Sequence, residues 1–435
     1  MQIAKQQVHV AIIGAGTVGS GTATILAEHA QEIAARAVPI GLRWLVNRNL
    51  EKAKAVQEKL GLSELRLAED WHPAVEDPET DVVVELIGGT DVAFDILATA
   101  LSSGKSAVTA NKDLIATRGG ELLAIAKAHG AELFFEAAVG GGIPIIQPLK
   151  ESLAGNRLDQ ILGIVNGTTN FILTNMTERG MDFQTALKQA QELGYAESDP
   201  TADVEGLDAA RKMAILASIA FNSRVTYEDV YCEGITKISP WDIRYSDELG
   251  YVIKMLGIAR CDEKTIEVRV HPVMIAKSHP LASVRDSYNA IFVHGDAVEN
   301  AMFYGRGAGS LPTGSAVAGD IINAARNILR DCRGRWGCTC YRQLPVLDIN
   351  ETKSKYYIRI QVADRVGVFA ALASSVAAAN LSMDAVLQKR RLENGHSEIV
   401  MVTHEVRHQD VLTALDIIGH LDCTHKVCGY IRVEG

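Results

Sequence analysis

The 435-residue chain has no excess of positive charge: 43 lysines and arginines stand against 53 aspartates and glutamates, a formal net charge of -10. That balance argues against nucleic acid or an anionic membrane as the main partner. Long apolar runs are missing as well, since no stretch approaches the length of about eighteen residues that a spanning helix needs. The opening "MQIAKQQVHVAIIGAG" runs almost directly into a strand, without the basic, apolar and small-residue succession of a signal peptide. Cysteine is sparse: seven in all, odd in number and scattered, so reduced thiols in a cytoplasmic setting are expected rather than a disulfide framework. Three of them, Cys332, Cys338 and Cys340, crowd into "DCRGRWGCTC". Their spacing fits no zinc pattern and no fourth ligand lies near, so they read as structural or incidental thiols.

What is present is a globular composition, 47% hydrophobic and 22% charged, in a chain long enough for two or three domains. "VHVAIIGAGTVGSGTATILAEHA" is a β-branched run, a G-x-G-x-x-G and a helical pattern in that order. Gly14 would make the tight turn, Gly16 would let backbone approach a pyrophosphate, and Gly19 would allow close helix–strand packing, with Thr17 and Val18 between them. Dinucleotide binding follows. After the next strand, "IGLRWLVNRN", an NAD enzyme carries an acid for the ribose 2′-hydroxyl, and here there is none. Arg48 stands there instead and suits a 2′-phosphate, which favours NADP over NAD unless Arg48 is only a solvated loop residue. "DVVVELIGG" reads as a buried parallel strand with glycines at its carboxyl end, and "GKSAVTANKDLIA" as another strand that delivers Asn111 and Lys112 to the same edge.

In "AELFFEAAVGGGIPIIQPL", Glu136 precedes three glycines and a proline. This marks a domain crossing; kinked glycine backbone beside a glutamate is also how a hard cation finds oxygen ligands. Hinge and cation site both stay open. "LGIVNGTTNFIL" is a strand, a turn at Asn166 and Gly167, and a helix opened by Thr168. Next comes "ELGYAESDPTADVEGLDAARKMAIL", with six carboxylates in its first seventeen residues. Asp208 and Lys212 are spaced i, i+4 and share a helical face with Ile215 and Ile219, which turns that face inward. A buried lysine near a nucleotide site suits proton transfer, because burial draws its pKa towards neutrality. Asp208 works against that tuning and reads as a substrate anchor, while Glu197 and Asp203 suit an ammonium group.

The succession "GAGTVG", "TANKDL", "EAAVGGGIPI", "VNGTTNFI", "LGYAESDP", "GLDAARK" and "GRGAGSLPTGSAVAGDI" resembles homoserine dehydrogenase over essentially the whole chain. The resemblance implies NADP-linked interconversion of L-homoserine and L-aspartate 4-semialdehyde in threonine, methionine and isoleucine biosynthesis. It implies that Lys212 relays the hydroxyl proton, with Asp208 and Lys112 beside it in the catalytic set. Glu197 and Asp208 match homoserine-binding residues, with Gly194 supplying backbone. Thr109 and Lys112 match contacts near the nicotinamide, and Gly309 a late glycine that closes over it. A sodium ion would take Glu136 and the carbonyls of Val139, Gly141 and Ile143.

From Tyr356 onward the pattern changes to strand, D-R-x-G-V turn, helix and strand, and ends in a β-α-β-β-α-β order, which is ferredoxin-like. The turn resembles an ACT domain, whose effector would lie near Asp364, Val366, Gly367 and Asn380; in this pathway it would be L-threonine. A purely structural dimerisation module is the other reading. The expected architecture is α/β throughout. It has a Rossmann-type domain over 1–140, to which a helix near 312–330 returns, and an α+β substrate and dimerisation domain over 141–330. A linker over 331–354 and a ferredoxin-like ACT module over 355–435 complete it, in a homodimer or homotetramer. The linker offers few periodic contacts, so a chain cut near Asn350 is expected to stay folded. Another NAD(P)-dependent amino-acid dehydrogenase, such as an aspartate dehydrogenase, and a nonenzymatic metabolite sensor are the competing readings.

Overall fold

The computed structural model describes residues 6–334, 337–392 and 395–434. The chain divides into two compact units. The first comprises Met1–Val165, Arg211–Val230 and Tyr288–Leu344, and the second Asn166–Ala210, Tyr231–Ser287 and Pro345–Gly435.

The first unit begins with β1 (Val8–Ile13), α1 (Thr17–Glu28), α2 (Ala30–Arg36), β2 (Ile40–Val46) and α3 (Leu50–Leu60). It continues through β3 (Arg66–Ala68), α4 (His72–Glu76), β4 (Val82–Glu85), α5 (Asp91–Ser102), β5 (Ser106–Thr109), α6 (Lys112–Ala128) and β6 (Leu133–Phe134). All six strands run parallel in the order β3-β2-β1-β4-β5-β6, the doubly wound order of nucleotide-binding sheets. β4 and β5 are buried at every residue, as strands covered on both faces must be.

The rest of the chain runs β7 (Leu158–Ile164), α7 (Gly167–Arg179), α8 (Phe183–Glu192), α9 (Thr201–Val204), α10 (Leu207–Ala220), β8 (Tyr231–Cys232) and α11 (Pro240–Glu248). Then come β9 (Tyr251–Cys261), β10 (Ile266–Ala276), β11 (Tyr288–Gly295), β12 (Glu299–Arg306) and α12 (Ser310–Leu329). The tail holds β13 (Lys353–Ala363), α13 (Val368–Ala378), β14 (Met383–Arg391), β15 (His396–Thr403), β16 (Val406–Arg407), α14 (His408–Gly419) and β17 (Thr424–Glu434).

Within the first unit α12 lies on α1 so tightly that a Cβ on Gly21 would come 2.3 Å from the Ser310 carbonyl oxygen. β7, β11 and β12 form an antiparallel layer there. The second unit holds the order β9-β10-β17-β13-β15-β14. The last strand, β17, is wedged between β10, to which it runs parallel, and β13, to which it runs antiparallel.

The tail is therefore not hung on a bare linker. Arg342 bonds back to Asn222 in the first unit, while Ile266 in the second is bracketed by Pro345 and Leu347. Buried charges reinforce the seam of the second unit. Arg359 reaches Asp242 at 2.8 Å and Glu398 at 3.0 Å, and Tyr245 donates to Glu398 at 2.9 Å. Arg432 pairs with Glu233 at 3.0 Å and lies over the rings of Tyr231 and Tyr356. Tyr356 meets His408, whose pKa is pushed down to about 4 by burial and the neighbouring guanidinium of Arg432. A cut near Asn350 would strip β10 of its neighbour and α11 of its partners, so the expectation that such a chain stays folded fails on this packing.

Candidate active site

The turn from β1 to α1 assigns each glycine a separate duty. Gly14 sits at φ +115°, and a Cβ there would come 2.7 Å from the Leu86 carbonyl oxygen. A Cβ on Gly19 would overlap the Gly14 carbonyl, whereas Gly16 faces open space. α1 has no side-chain cap, so its first N–H groups are free for a phosphate. Thr17 and Val18 open that helix, and the Ser310 hydroxyl, next to Gly309 at the start of α12, donates to the Thr17 carbonyl at 2.7 Å.

An open cleft of about 450 Å³ runs from Gly14 and Gly16 past Arg48 to Gly88, Gly89 and Asp91. Arg48 is exposed on it and has no partner among the described residues. A second cleft of about 200 Å³ is lined by Val18, Glu85, Leu86, Asn111 and Lys112. A dinucleotide fits such a place, with exposed backbone, an uncapped helix terminus and the Arg48 cation on its wall. Lys112 opens α6 behind its Asn111 cap and stands 3.8 Å from Asp113, which also holds Arg211 at 2.7 Å.

Thr109 is fully buried, and its hydroxyl donates to Glu85 at 2.6 Å while accepting from the Asn111 amide. Its side chain supports the loop at the edge of the smaller cleft. Glu85, passed over in the sequence, is the hub: the same carboxylate accepts from the Ile87 and Gly88 amides at 2.8 and 3.0 Å. It ties the loops after β4 and β5 together.

Lys212, half-buried on α10, donates from Nζ to the Val165 carbonyl at the end of β7, at 2.7 Å. The deeper burial expected of it is not reached, although Ile215 and Ile219 on the same face are buried.

In the second unit the acids of the 192–208 stretch part company. Asp199 accepts from the amide and hydroxyl of Thr201, Glu205 meets Thr236, and Glu192 is 3.9 Å from Lys188. Asp203 and Asp208 are brought together by Asn166, whose amide donates to the first at 2.7 Å and to the second at 2.9 Å. Asn166 also caps α7 through Thr169, so Thr168 is not the cap; its hydroxyl donates to the Tyr195 carbonyl. Glu197 stands exposed on its loop, beyond Gly194 at φ +75°. The link of Asp203 to Asp208 through Asn166 is one that the sequence did not announce.

Among the described residues no group of three or more His, Cys, Asp or Glu could hold a metal ion. At the glycine crossing the Glu136 carboxylate is spent on the amides of Ile145, Ile146 and Gln147. Burial raises its pKa, and raises that of Asp320, which accepts from its amide, further still. The Glu136 side chain thus pins the loop that follows the glycines. The carbonyls of Val139, Gly141 and Ile143 sit on buried residues and accept no hydrogen bond among the described residues. Unsatisfied oxygens of that kind fit a hard monovalent cation. The effector candidates frame α13: Asp364 pairs with Arg391 at 2.9 Å, Val366 is fully exposed, and Gly367 and Asn380 take φ +92° and +57° at its ends.

A doubly wound sheet with an open glycine turn, and a helix carrying a lysine whose amine is held by one carbonyl, define a nicotinamide-nucleotide oxidoreductase. Residues 14–136 match the family described as homoserine dehydrogenase, NAD binding domain, and residues 144–322 the family described as homoserine dehydrogenase. A Synechocystis homoserine dehydrogenase is 44% identical over 98% of this chain and 99% of its own length. The crystal structure of a homoserine dehydrogenase from Thiobacillus denitrificans superposes with a TM-score of 0.92 at 41% identity, covering 98% of each chain. A hyperthermophilic archaeal homoserine dehydrogenase in complex with NADPH gives 0.62 at 29% identity, over 73% of this chain and 97% of that one. The chain belongs to the homoserine dehydrogenase family and is an oxidoreductase of that kind. Among the described residues no helix is long and apolar enough to cross a membrane.

Proposed function

We propose that the chain interconverts L-homoserine and L-aspartate 4-semialdehyde, with Lys212 exchanging the proton of the substrate hydroxyl. The observation that carries this reading is the pair of anchors along α10 and its approach: Asp208, held with Asp203 by Asn166, and Lys212, steadied on the Val165 carbonyl. A bound nicotinamide supplies the hydride acceptor. Asp203 and Asp208 present negative charge to the substrate's ammonium group, with Gly194 and Glu197 on the loop that precedes them. Lys212 takes the hydroxyl proton on oxidation and returns it on reduction, a role worth roughly 10²–10⁴-fold in rate. Lys112 sits at the start of α6 on the smaller nucleotide cleft, placed to orient the oxygen that loses the proton.

NADP is the preferred cofactor on this reading, because Arg48 is the exposed cation on the larger cleft. Asp91, on the same cleft, is the group that would serve NAD instead. Replacing Arg48 by alanine weakens NADP by about tenfold or more and NAD little, as loss of a charge-assisted bond implies. Equal losses for both would return the choice to Asp91.

Sodium, where bound, is held by the carbonyls of Val139, Gly141 and Ile143, and Glu136 fixes the loop that presents them. The tail from residue 355 acts as an ACT-type module that binds L-threonine near Asp364, Val366, Gly367 and Asn380. Its strand order, β17-β13-β15-β14, and the two left-handed residues flanking α13 support that assignment. A homodimer or homotetramer suits the edge strand β12, which exposes Met302 and Tyr304. Homoserine-dependent reduction of NADP by the purified chain tests the reaction, and turnover with aspartate but not homoserine would replace it with the amino-acid dehydrogenase reading.

A further inference from the structure

Two of the thiols that the sequence leaves without a role meet the helices that carry the two lysines. Cys338 and Cys340 line a cavity of about 30 Å³ walled by Ile115 and Gly119 of α6 and by Ile215 and Ile219 of α10. The Cys340 thiol donates to the Ser218 carbonyl in the last turns of α10 at 3.6 Å and lies within electrostatic reach of the Cys338 sulfur. Cys338 is exposed and accepts from the Arg224 guanidinium at 3.5 Å. That guanidinium lies against α6 so closely that a Cβ on Gly120 would come 3.0 Å from it. Lys150 donates to the Gly337 carbonyl at 3.0 Å, adding a second cation to this edge. Cys332 takes no part, since its thiol turns to the Asn327 side chain.

The two sulfurs are unlike in the way an attacking and a resolving thiol differ. Cys338 is open to solvent, where an external disulfide can reach it, and stands beside a guanidinium. Burial pushes the Cys340 thiol up to about 11, which keeps it protonated until a mixed disulfide is presented to it. We propose that Cys338 and Cys340 form a thiol–disulfide site, oxidised by low-molecular-weight disulfides, whose closure loosens the seating of α6 and α10. In the first step the Cys338 thiolate attacks one sulfur of the disulfide RSSR, forms a mixed disulfide and releases one thiolate. In the second, the Cys340 sulfur attacks the Cys338 sulfur, its S–H proton passes to solvent, and the second thiolate leaves. The pair gives up two electrons and two protons, and RSSR becomes two RSH. The product no longer has a thiol to donate to Ser218, and the Cys338 sulfur drawn towards Cys340 leaves the Arg224 guanidinium, so both ties to the helices are lost.

The full chain, incubated with oxidised glutathione, alkylated and mapped by mass spectrometry, tests this directly. The expected result is a peptide carrying an internal 338–340 disulfide, two hydrogens lighter and restored by dithiothreitol, with turnover reduced several-fold and reversibly. Cys338→Ser, at an exposed position, should fold with an unchanged melting curve and keep full turnover in the oxidant, while Cys332→Ser should behave as wild type. Alkylation of both Cys338 and Cys340 after oxidation would overturn the proposal. So would a disulfide to Cys332, or an equal loss of turnover in wild type and Cys338→Ser.

Discussion

The cofactor cleft and the acid loop solve the same problem, placing charge, by opposite means. The β1–α1 turn works by omission: Gly14 and Gly19 leave room for backbone, and Gly16 leaves room for a ligand. Its attractive groups are N–H dipoles that no side chain has claimed. The loop before α10 works by commitment, because Asp203 and Asp208 would repel each other without the Asn166 amide between them. Each region also depends on a single polar residue far along the chain. Glu85 gathers Ile87, Gly88 and Thr109, and Asn166 gathers two carboxylates and a helix terminus. A cleft built on omission should tolerate loss of its hub better than a loop built on like charges.

The largest effect is expected where the comparison is broken altogether, at the tail. A chain ending near Asn350 loses β13 and β17, leaving β10 an open edge, Asp242 without Arg359 and Tyr245 without Glu398. It should aggregate or melt far below the full chain. A cooperative melt close to that of the full chain would show that the seam contributes little.

Asn166→Asp keeps the cap acceptor for Thr169 but replaces the donor between two carboxylates with a third one. The Michaelis constant for homoserine should rise by about tenfold to a hundredfold, the cost of about 1.5–3 kcal/mol for hydrogen bonds to charged groups. NADP affinity should hold, and a matching loss of NADP affinity would mean the variant had disturbed the whole fold. Glu85→Gln is the milder change, since Oε1 survives for the Ile87 and Gly88 amides and only the bond with Thr109 is compromised. NADP should weaken by about fivefold, from about 1 kcal/mol, while the Michaelis constant for homoserine stays put. If the two variants exchanged effects, the division of labour drawn here would be wrong.

The parts legible in the sequence are those where backbone geometry permits one residue type. Gly14 at φ +115° and Gly19 under the Gly14 carbonyl could be little else, so the motif announced the cleft. The alternation of the tail likewise announced its strands and helices. Asn166 and Glu85 were hidden for the complementary reason. Their side-chain partners Thr109, Asp203 and Asp208 lie 24 to 42 residues away, and an asparagine in a turn or an acid at a strand end has many commoner explanations. The position of β17 was hidden too, because "THKVCGYIRVE" says strand without naming a neighbour, and its pairing with β10 is tertiary. The direction of Glu197 was not legible either, because charge in a loop says nothing of where it points; the chain turns it to solvent.

The central claim rests on one amine. Lys212→Ala removes it from a helix whose neighbouring positions are buried by other side chains, so the fold and the nucleotide cleft should stay intact. The decisive measurement is turnover of this variant at saturating homoserine and NADP, with NADP affinity determined separately by titration. The account predicts turnover lower by roughly 10²–10⁴-fold with unchanged NADP affinity. Turnover near that of the wild type would contradict it and move the proton transfer to another group.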